Sequence, residues 1–436
     1  MKGHRIIRAL FAFVLAVSLT IAMPVAAGTE ISTSSPVQIT KNKTLNVLFI
    51  GNSFSEDTSR YLYDIVKQTG YKICVGDAWI GGSRLCDHVS NASSNAKKYT
   101  YIENTSGSWG RKKYNGNSTW RLSWVMSRKK WDVIILQSLS TDVGRMASFY
   151  PGGDETKTCY LEQLATYCNK KYPKSHIAYN MTWACPEGSN AAGYAEYGGQ
   201  LQMCKAAWTT TERLLLDLTE EVEEEVGEEL TGEQAVENLF ESSSLVVRTT
   251  PARAPSVEFV IPTGTAIQNA RSSYLGDTLH RDNKHLSYGI GRYIASMTTA
   301  ASLGYPVEKV TTLKLSNTAS TLHLPVIKAS VRDALEKPFS LSEQDPEKPV
   351  LSAMNVSVKT KNRKVTVKWD KVEGATSYKL QYKLPGKKSF STVTVSASKT
   401  SYQFSGKKGT NYIRIYAVGD SYIPQTERVD TSVKLR

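Results

Sequence analysis

The run Leu45-Asn46-Val47-Leu48-Phe49-Ile50 stops at Gly51 and is followed by Asn52-Ser53-Phe54-Ser55-Glu56-Asp57. A short, partly β-branched apolar stretch closed by glycine offers water no polar face. It therefore reads as a strand covered on both sides, the kind that builds parallel sheets. The serine and acids after it favour a helix start, and the spacing predicts a helix over residues 58–69 with Leu62, Ile65 and Val66 facing inward. Ser53 then sits on the turn between a strand's carboxyl end and a helix, where open α/β sheets hold their ligands. Backbone N–H groups at such a turn suit a developing oxyanion, although a serine there is also an ordinary helix cap.

A second element weighs against the plain cap. Arg281-Asp282-Asn283-Lys284-His285-Leu286-Ser287 precedes a helical run over residues 288–303, in a chain with six histidines. Asp282 and His285 are spaced so that one turn can present both side chains together. A serine nucleophile needs a base, and the base needs a group to orient it.

Together, Gly51-Asn52-Ser53-Phe54-Ser55 and Asp282-x-x-His285 resemble the SGNH (GDSL-like) hydrolase superfamily, closest to a poorly characterised branch whose first block reads G-N-S-F-S. The resemblance spans about residues 45–303. It implies an α/β domain, a flavodoxin-like three-layer α/β/α sandwich with a mainly parallel sheet, and a triad of Ser53, His285 and Asp282. It also implies an oxyanion hole made by the Ser53 N–H, a glycine of the second block and an amide of the third. Trp79-Ile80-Gly81-Gly82 supplies the glycine, Gly82 or alternatively Gly81. The third block usually carries Asn, but here the strand at 131–138 ends in Gln137, one methylene longer yet still an N–H donor. Asn52 replaces the usual Asp. Asn52, Arg84 and Trp183 are expected to line the substrate pocket, Arg84 at its rim, with a structural role for Arg84 and a core role for Trp183 as the alternatives. No metal or cofactor is called for.

The chain opens on a basic stretch, Met1 to Arg8, then an apolar stretch over 9–23 and the small residues Val25-Ala26-Ala27, the pattern of a secretory signal peptide cleaved near Ala27. No other apolar run reaches membrane length, so no membrane span is expected and the protein reads as secreted. The expected organisation is signal peptide 1–27, disordered leader 28–43, hydrolase domain 44–337, linker 338–349 and a β module 350–436. Six cysteines leave open local disulfides (Cys159 with Cys168, Cys185 with Cys204) or buried thiols. Alternating segments at 98–104 and 118–124, rich in Tyr and Trp, suggest a β-hairpin over the site. Helices are expected over 156–171, 191–218, 231–240 and 263–272, and strands over 71–80, 175–181 and 256–262. The acidic run at 219–229 reads as a solvated surface insertion.

Beyond a Pro-rich linker the period changes to two, as in Val365-Thr366-Val367-Lys368-Trp369 and Tyr412-Ile413-Arg414-Ile415-Tyr416. This predicts an all-β, immunoglobulin-like sandwich. It resembles the fibronectin type III modules carried by bacterial secreted enzymes, with Trp369 as the core tryptophan and Tyr412 on a late strand. Residues 349–436 hold 17 Lys and Arg against 5 Asp and Glu, most of the chain's net +14. Such a surface suits contact with cell wall or another anionic polymer, or simply solvation; specific nucleic-acid binding is not expected. The reading is a secreted serine esterase acting on acyl groups, most simply acetyl, of a carbohydrate or small ester. The alternative is a catalytically weak glycan- or wall-binding protein on the same scaffold. A lipase would need a long apolar trough, which no loop is rich enough to build.

Overall fold

The computed structural model describes residues 31–112, 118–225, 243–313 and 319–436. In chain order the elements begin β1 (Thr44–Gly51), α1 (Ser53–Ser59), α2 (Leu62–Gln68), β2 (Lys72–Trp79), α3 (Leu85–Ser93), β3 (Thr100–Asn104) and β4 (Gly110–Arg111). They continue with α4 (Leu122–Met126), β5 (Val133–Gln137), α5 (Tyr160–Lys171), β6 (His176–Asn180) and α6 (Gln200–Leu215). A separate compact unit holds the antiparallel hairpin of β7 (Leu218–Glu225) and β8 (Ser243–Thr250), paired from Leu218 opposite Thr250 to Glu225 opposite Ser243. The acidic run thus enters a strand; its remainder and the helix expected over 231–240 lie outside the described residues. Then come β9 (Phe259–Ile261), α7 (Thr263–Arg271), α8 (Ile290–Ser302) and α9 (Leu324–Glu336).

One seven-stranded sheet runs β4-β3-β2-β1-β5-β6-β9. The five strands from β2 to β9 are mutually parallel and stand in flavodoxin-like order, while β3 and β4 add an antiparallel edge. Side chains of a strand alternate between faces. Accordingly Leu45, Val47 and Phe49 enter the core with α1, α2, α7, α8 and α9, whereas Leu48 and Ile50 enter the core with α3 to α6. Both faces are covered, which is why β1 reads as continuously apolar from Val47 to Ile50. Leu62, Ile65 and Val66 are buried as predicted.

Several expectations are corrected. The first helix begins at Ser53 itself, not near residue 58, because Asn52 caps it by accepting from the Phe54 N–H. The aromatic excursion forms β3 and β4, but 122–126 is helical rather than a second hairpin strand. Residues 31–43 are not a free leader: Ser32 bridges Phe259 at the sheet edge, Ser35 N–H donates to Ser302 O, and Val37 and Ile39 pack on the core. All six cysteines are unpaired thiols. The signal-peptide residues lie outside those described.

The last part is β10 (Val356–Lys361), β11 (Lys364–Trp369), β12 (Ser377–Lys383), β13 (Ser391–Ser396), β14 (Ser401–Ser405), β15 (Gly409–Val418) and β16 (Val429–Leu435). Three strands, β10-β11-β14, face four, β13-β12-β15-β16, all antiparallel, around Trp369, Tyr378, Leu380 and Ile415. This is the predicted sandwich. The stretch before it is pinned rather than loose: Ser342 N–H donates to Asn269 Oδ1 and Gln344 N–H to Ser272 Oγ, both on or beside α7. The sandwich also docks through Asp420, whose Oδ2 lies 2.7 Å from Nε2 of the fully buried His323. Among the described residues no helix is long and apolar enough to cross a membrane.

Candidate active site

Strand β1 delivers Ser53 to its position. Gly51 closes the strand under the Gln137 side chain, and a Cβ at Gly51 would lie 2.8 Å from Gln137 Cγ and 3.0 Å from Ser55 Cβ. Asn52 follows, 1% exposed, with every side-chain group engaged. Its Oδ1 accepts from Phe54 N at 2.9 Å and Gln137 Nε2 at 2.8 Å, and its Nδ2 donates to Ser83 O at 2.9 Å. The Phe54 amide can only donate, so it fixes the orientation of the Asn52 amide and, through it, that of Gln137. Three strand ends, those of β1, β2 and β5, are thereby tied together beneath the serine.

Ser53 Oγ lies 2.8 Å from His285 Nε2, and His285 Nδ1 lies 2.9 Å from Asp282 Oδ2 and 3.1 Å from Oδ1. A carboxylate accepts only, so the Nδ1–H donates to Asp282 and the bare Nε2 accepts the Ser53 O–H. Asp282 Oδ1 also accepts the Lys284 and His285 backbone amides, at 3.0 and 2.8 Å. Partial burial alone would raise the Asp282 carboxyl, but these amides and the imidazole N–H hold it down at about 2. Edge-on to the imidazole is Phe54, ring centres 5.7 Å apart; Phe54 in turn stacks on Trp183 at 4.2 Å. Trp183 Nε1 donates to Lys284 O at 2.8 Å, so the ring stack holds the loop that carries His285.

Behind the turn lies Asp77 of β2, fully buried, with Ser55 Oγ 3.0 Å from both its oxygens. Ser55 Oγ also lies 2.6 Å from Asn52 O. Burial pushes the Asp77 carboxyl well above the usual range, against the Ser55 hydrogen bond, which favours the charged form.

Ser53, His285 and Asp282 come together as the sequence predicts. Gly82 sits at φ +65°, a conformation suited to glycine, one residue before the Ser83 carbonyl that holds Asn52. The neighbouring Ile80 and Ser83 amides are taken by Gly51 O and Ile80 O, while the Gly82 amide has no partner among the described residues. Three expectations change. Asn52 is scaffold, not a substrate contact. Gln137 is 2% exposed and gives its amide to Asn52 Oδ1 and, at 3.4 Å, to Ser138 O, because its extra methylene folds it back over Gly51; no free side-chain donor is left for an oxyanion. Trp183 is fully buried core, not a pocket wall. Arg84 is half-exposed, and its Nε and Nη2 clamp Asp142 at 2.8 Å each, so its charge is matched. Sequence reasoning missed Phe54, Asp57 and Asp77, which sit inside runs that read only as a helix start or a strand. Among the described residues no three His, Cys, Asp or Glu side chains converge as a metal ligand set.

The molecule is thus defined as a flavodoxin-like α/β protein with a serine–histidine–aspartate chain at the carboxyl ends of its strands, followed by a β-sandwich. Residues 46–214 and 234–334 match the family described as "Domain of unknown function (DUF4886)", and the chain belongs to that family. It is similar to the crystal structure of a DUF4886 family protein from Bacteroides uniformis, with 25% identity over 69% of this chain and 98% of that one and a TM-score of 0.53. Over about a fifth of its length it is also matched by FN1–FN3 domains of chicken CNTN1, at 22% identity, 34% coverage of that chain and a TM-score of 0.17. No curated protein matches the chain.

Proposed function

We propose that the chain is an SGNH-type serine esterase, exported by its N-terminal signal, that cleaves acyl esters, most simply acetyl, from a carbohydrate or small ester. The observation that carries this reading is the continuous hydrogen-bonded chain Ser53 Oγ–His285 Nε2–His285 Nδ1–Asp282, at 2.8 and 2.9 Å. Ser53 Oγ attacks the acyl carbonyl carbon as its proton passes to His285 Nε2. The Ser53 and Gly82 amides face the resulting oxyanion, and Asp282 balances the imidazolium. His285 then returns the proton to the departing alkoxide, leaving acyl-Ser53. Water, deprotonated by His285, attacks the acyl carbon and releases the acid and free Ser53.

The engaged Gln137 amide favours a second reading, a glycan- or wall-binding protein with weak turnover, because one customary oxyanion donor is absent. Hydrolysis of p-nitrophenyl acetate by the full chain tests both. Esterase function requires turnover that Ser53→Ala abolishes in a folded protein. Equal rates in the two proteins remove Ser53 from the chemistry, and no turnover in either favours binding.

A further inference from the structure

Asp57 lies one helical turn beyond Ser53 on α1, and its carboxylate is completely buried. Oδ1 accepts from Arg281 Nη1 at 2.9 Å and Arg292 Nε at 2.6 Å. Oδ2 accepts from the Leu286 backbone amide at 3.0 Å and again from Arg281 Nη1 at 3.1 Å. Arg281 immediately precedes Asp282, and Leu286 immediately follows His285. One carboxylate therefore grips both flanks of the segment that carries the acid and the base, and does so from the helix that carries the nucleophile.

The gripped segment is itself a closed unit. Arg281 N–H donates to His285 O at 2.9 Å, and Ser287 N–H to Leu279 O at 2.7 Å. Arg292 belongs to α8, so the same carboxylate also ties this unit to the helix after it. The exposed Tyr288 ring lies over both guanidinium groups, 4.7 Å from Arg281 and 4.8 Å from Arg292. Burying one carboxylate with two guanidinium groups is a poor way to gain stability, since desolvation offsets most of the attraction. What the carboxylate supplies is geometry: two acceptor atoms at fixed angles that accept only.

We infer that Asp57 is a positioning residue that sets the reach of His285 to Ser53 by anchoring Arg281 and Leu286 to the nucleophile's own helix. This rests on the reading of Ser53 as the nucleophile. A catalytic pair held at 2.8 Å tolerates little slack, and a misplacement of about 1 Å costs on the order of 100-fold in rate.

The test is Asp57→Asn in the full chain, which keeps the side chain's size but turns an N–H donor toward a guanidinium or the Leu286 amide. Two readings are taken. For p-nitrophenyl acetate, kcat is expected to fall about 10- to 100-fold while KM stays within about twofold, the split expected of lost alignment rather than lost binding. By hydrogen–deuterium exchange, residues 279–287 are expected to exchange faster than in the parent protein while β1 does not. Should Asp57→Asn fail to fold, Arg281→Gln, which leaves Asp57 on Arg292 and Leu286, is expected to show the same split with a smaller drop. A folded variant with parental kcat, or with unchanged exchange over 279–287, overturns the inference. Because exchange is read without turnover, an inactive parent protein would refute the esterase reading, and the exchange of residues 279–287 would still decide whether Asp57 anchors that segment.

Discussion

Replacing Asn52 by Asp, the residue customary after the first glycine in SGNH-type blocks, has a cost that the structure specifies. The Asn52 Nδ2 that now donates to Ser83 O at 2.9 Å would become an oxygen facing that carbonyl, at a position 1% exposed. Ser83 O loses its donor, and a buried acceptor left unpaired costs about 1–3 kcal/mol. Burial without a free counter-charge, Arg84 being committed to Asp142, raises the pKa of the introduced carboxyl above its unfolded value of about 3.9. A group whose folded pKa is raised contributes most below its unfolded pKa, where as an acid it can donate to Ser83 O. That contribution is lost as pH rises through the folded pKa. Asn52→Asp is therefore expected to melt close to the parent near pH 4 and to fall behind by pH 8, by about 1–2 °C for each kcal/mol in a cooperative unit of this size. Thermal melts across that range, with Asn52→Ala as a control whose deficit does not vary with pH, measure it. Parental stability of Asn52→Asp at pH 8, or a deficit constant with pH, refutes the hydrogen-bond assignment at this turn.

Gly51→Ala drives a methyl to 2.8 Å from Gln137 Cγ and 2.9 Å from Cδ, so overpacking of about 1–3 kcal/mol is expected together with a loss of esterase rate as Gln137 pushes on Asn52; melting curves and kcat check both. Asp420→Ala leaves the buried Nε2 of His323 without the carboxylate that accepts from it, and a buried donor left unpaired costs about 1–3 kcal/mol. Calorimetry is expected to show the β-sandwich melting apart from the α/β domain in that variant, against a single transition in the parent; unchanged melting would mean that the pair does not hold the two together.

Much of this architecture is legible in the sequence because it follows from solvation. The apolar run Val47 to Ile50 of β1 has to be covered on both faces, and the period of two in Val365 to Trp369 has to leave one face wet. Ser53, Asp282 and His285 are legible because their chemistry is rare and their spacing is local. What escapes is pairing across long separations between polar side chains and backbone groups. Asp57 meets Arg281 and Leu286 more than 220 positions away, and nothing in Ser-Glu-Asp distinguishes an anchor from a helix start. Gln137 looks like a donor by type, yet its length returns it to Asn52. The Pro-rich stretch before the sandwich looks like a tether, since its partners Asn269 and Ser272 stand about 70 residues earlier.

The most direct test of covalent chemistry at Ser53 is labelling of the full chain with a fluorophosphonate probe, followed by mass spectrometry of the modified peptide. An activated serine is expected to give a single adduct on Ser53 that disappears in Ser53→Ala and falls sharply in His285→Ala. No adduct, an adduct on another serine, or equal labelling of His285→Ala would contradict it.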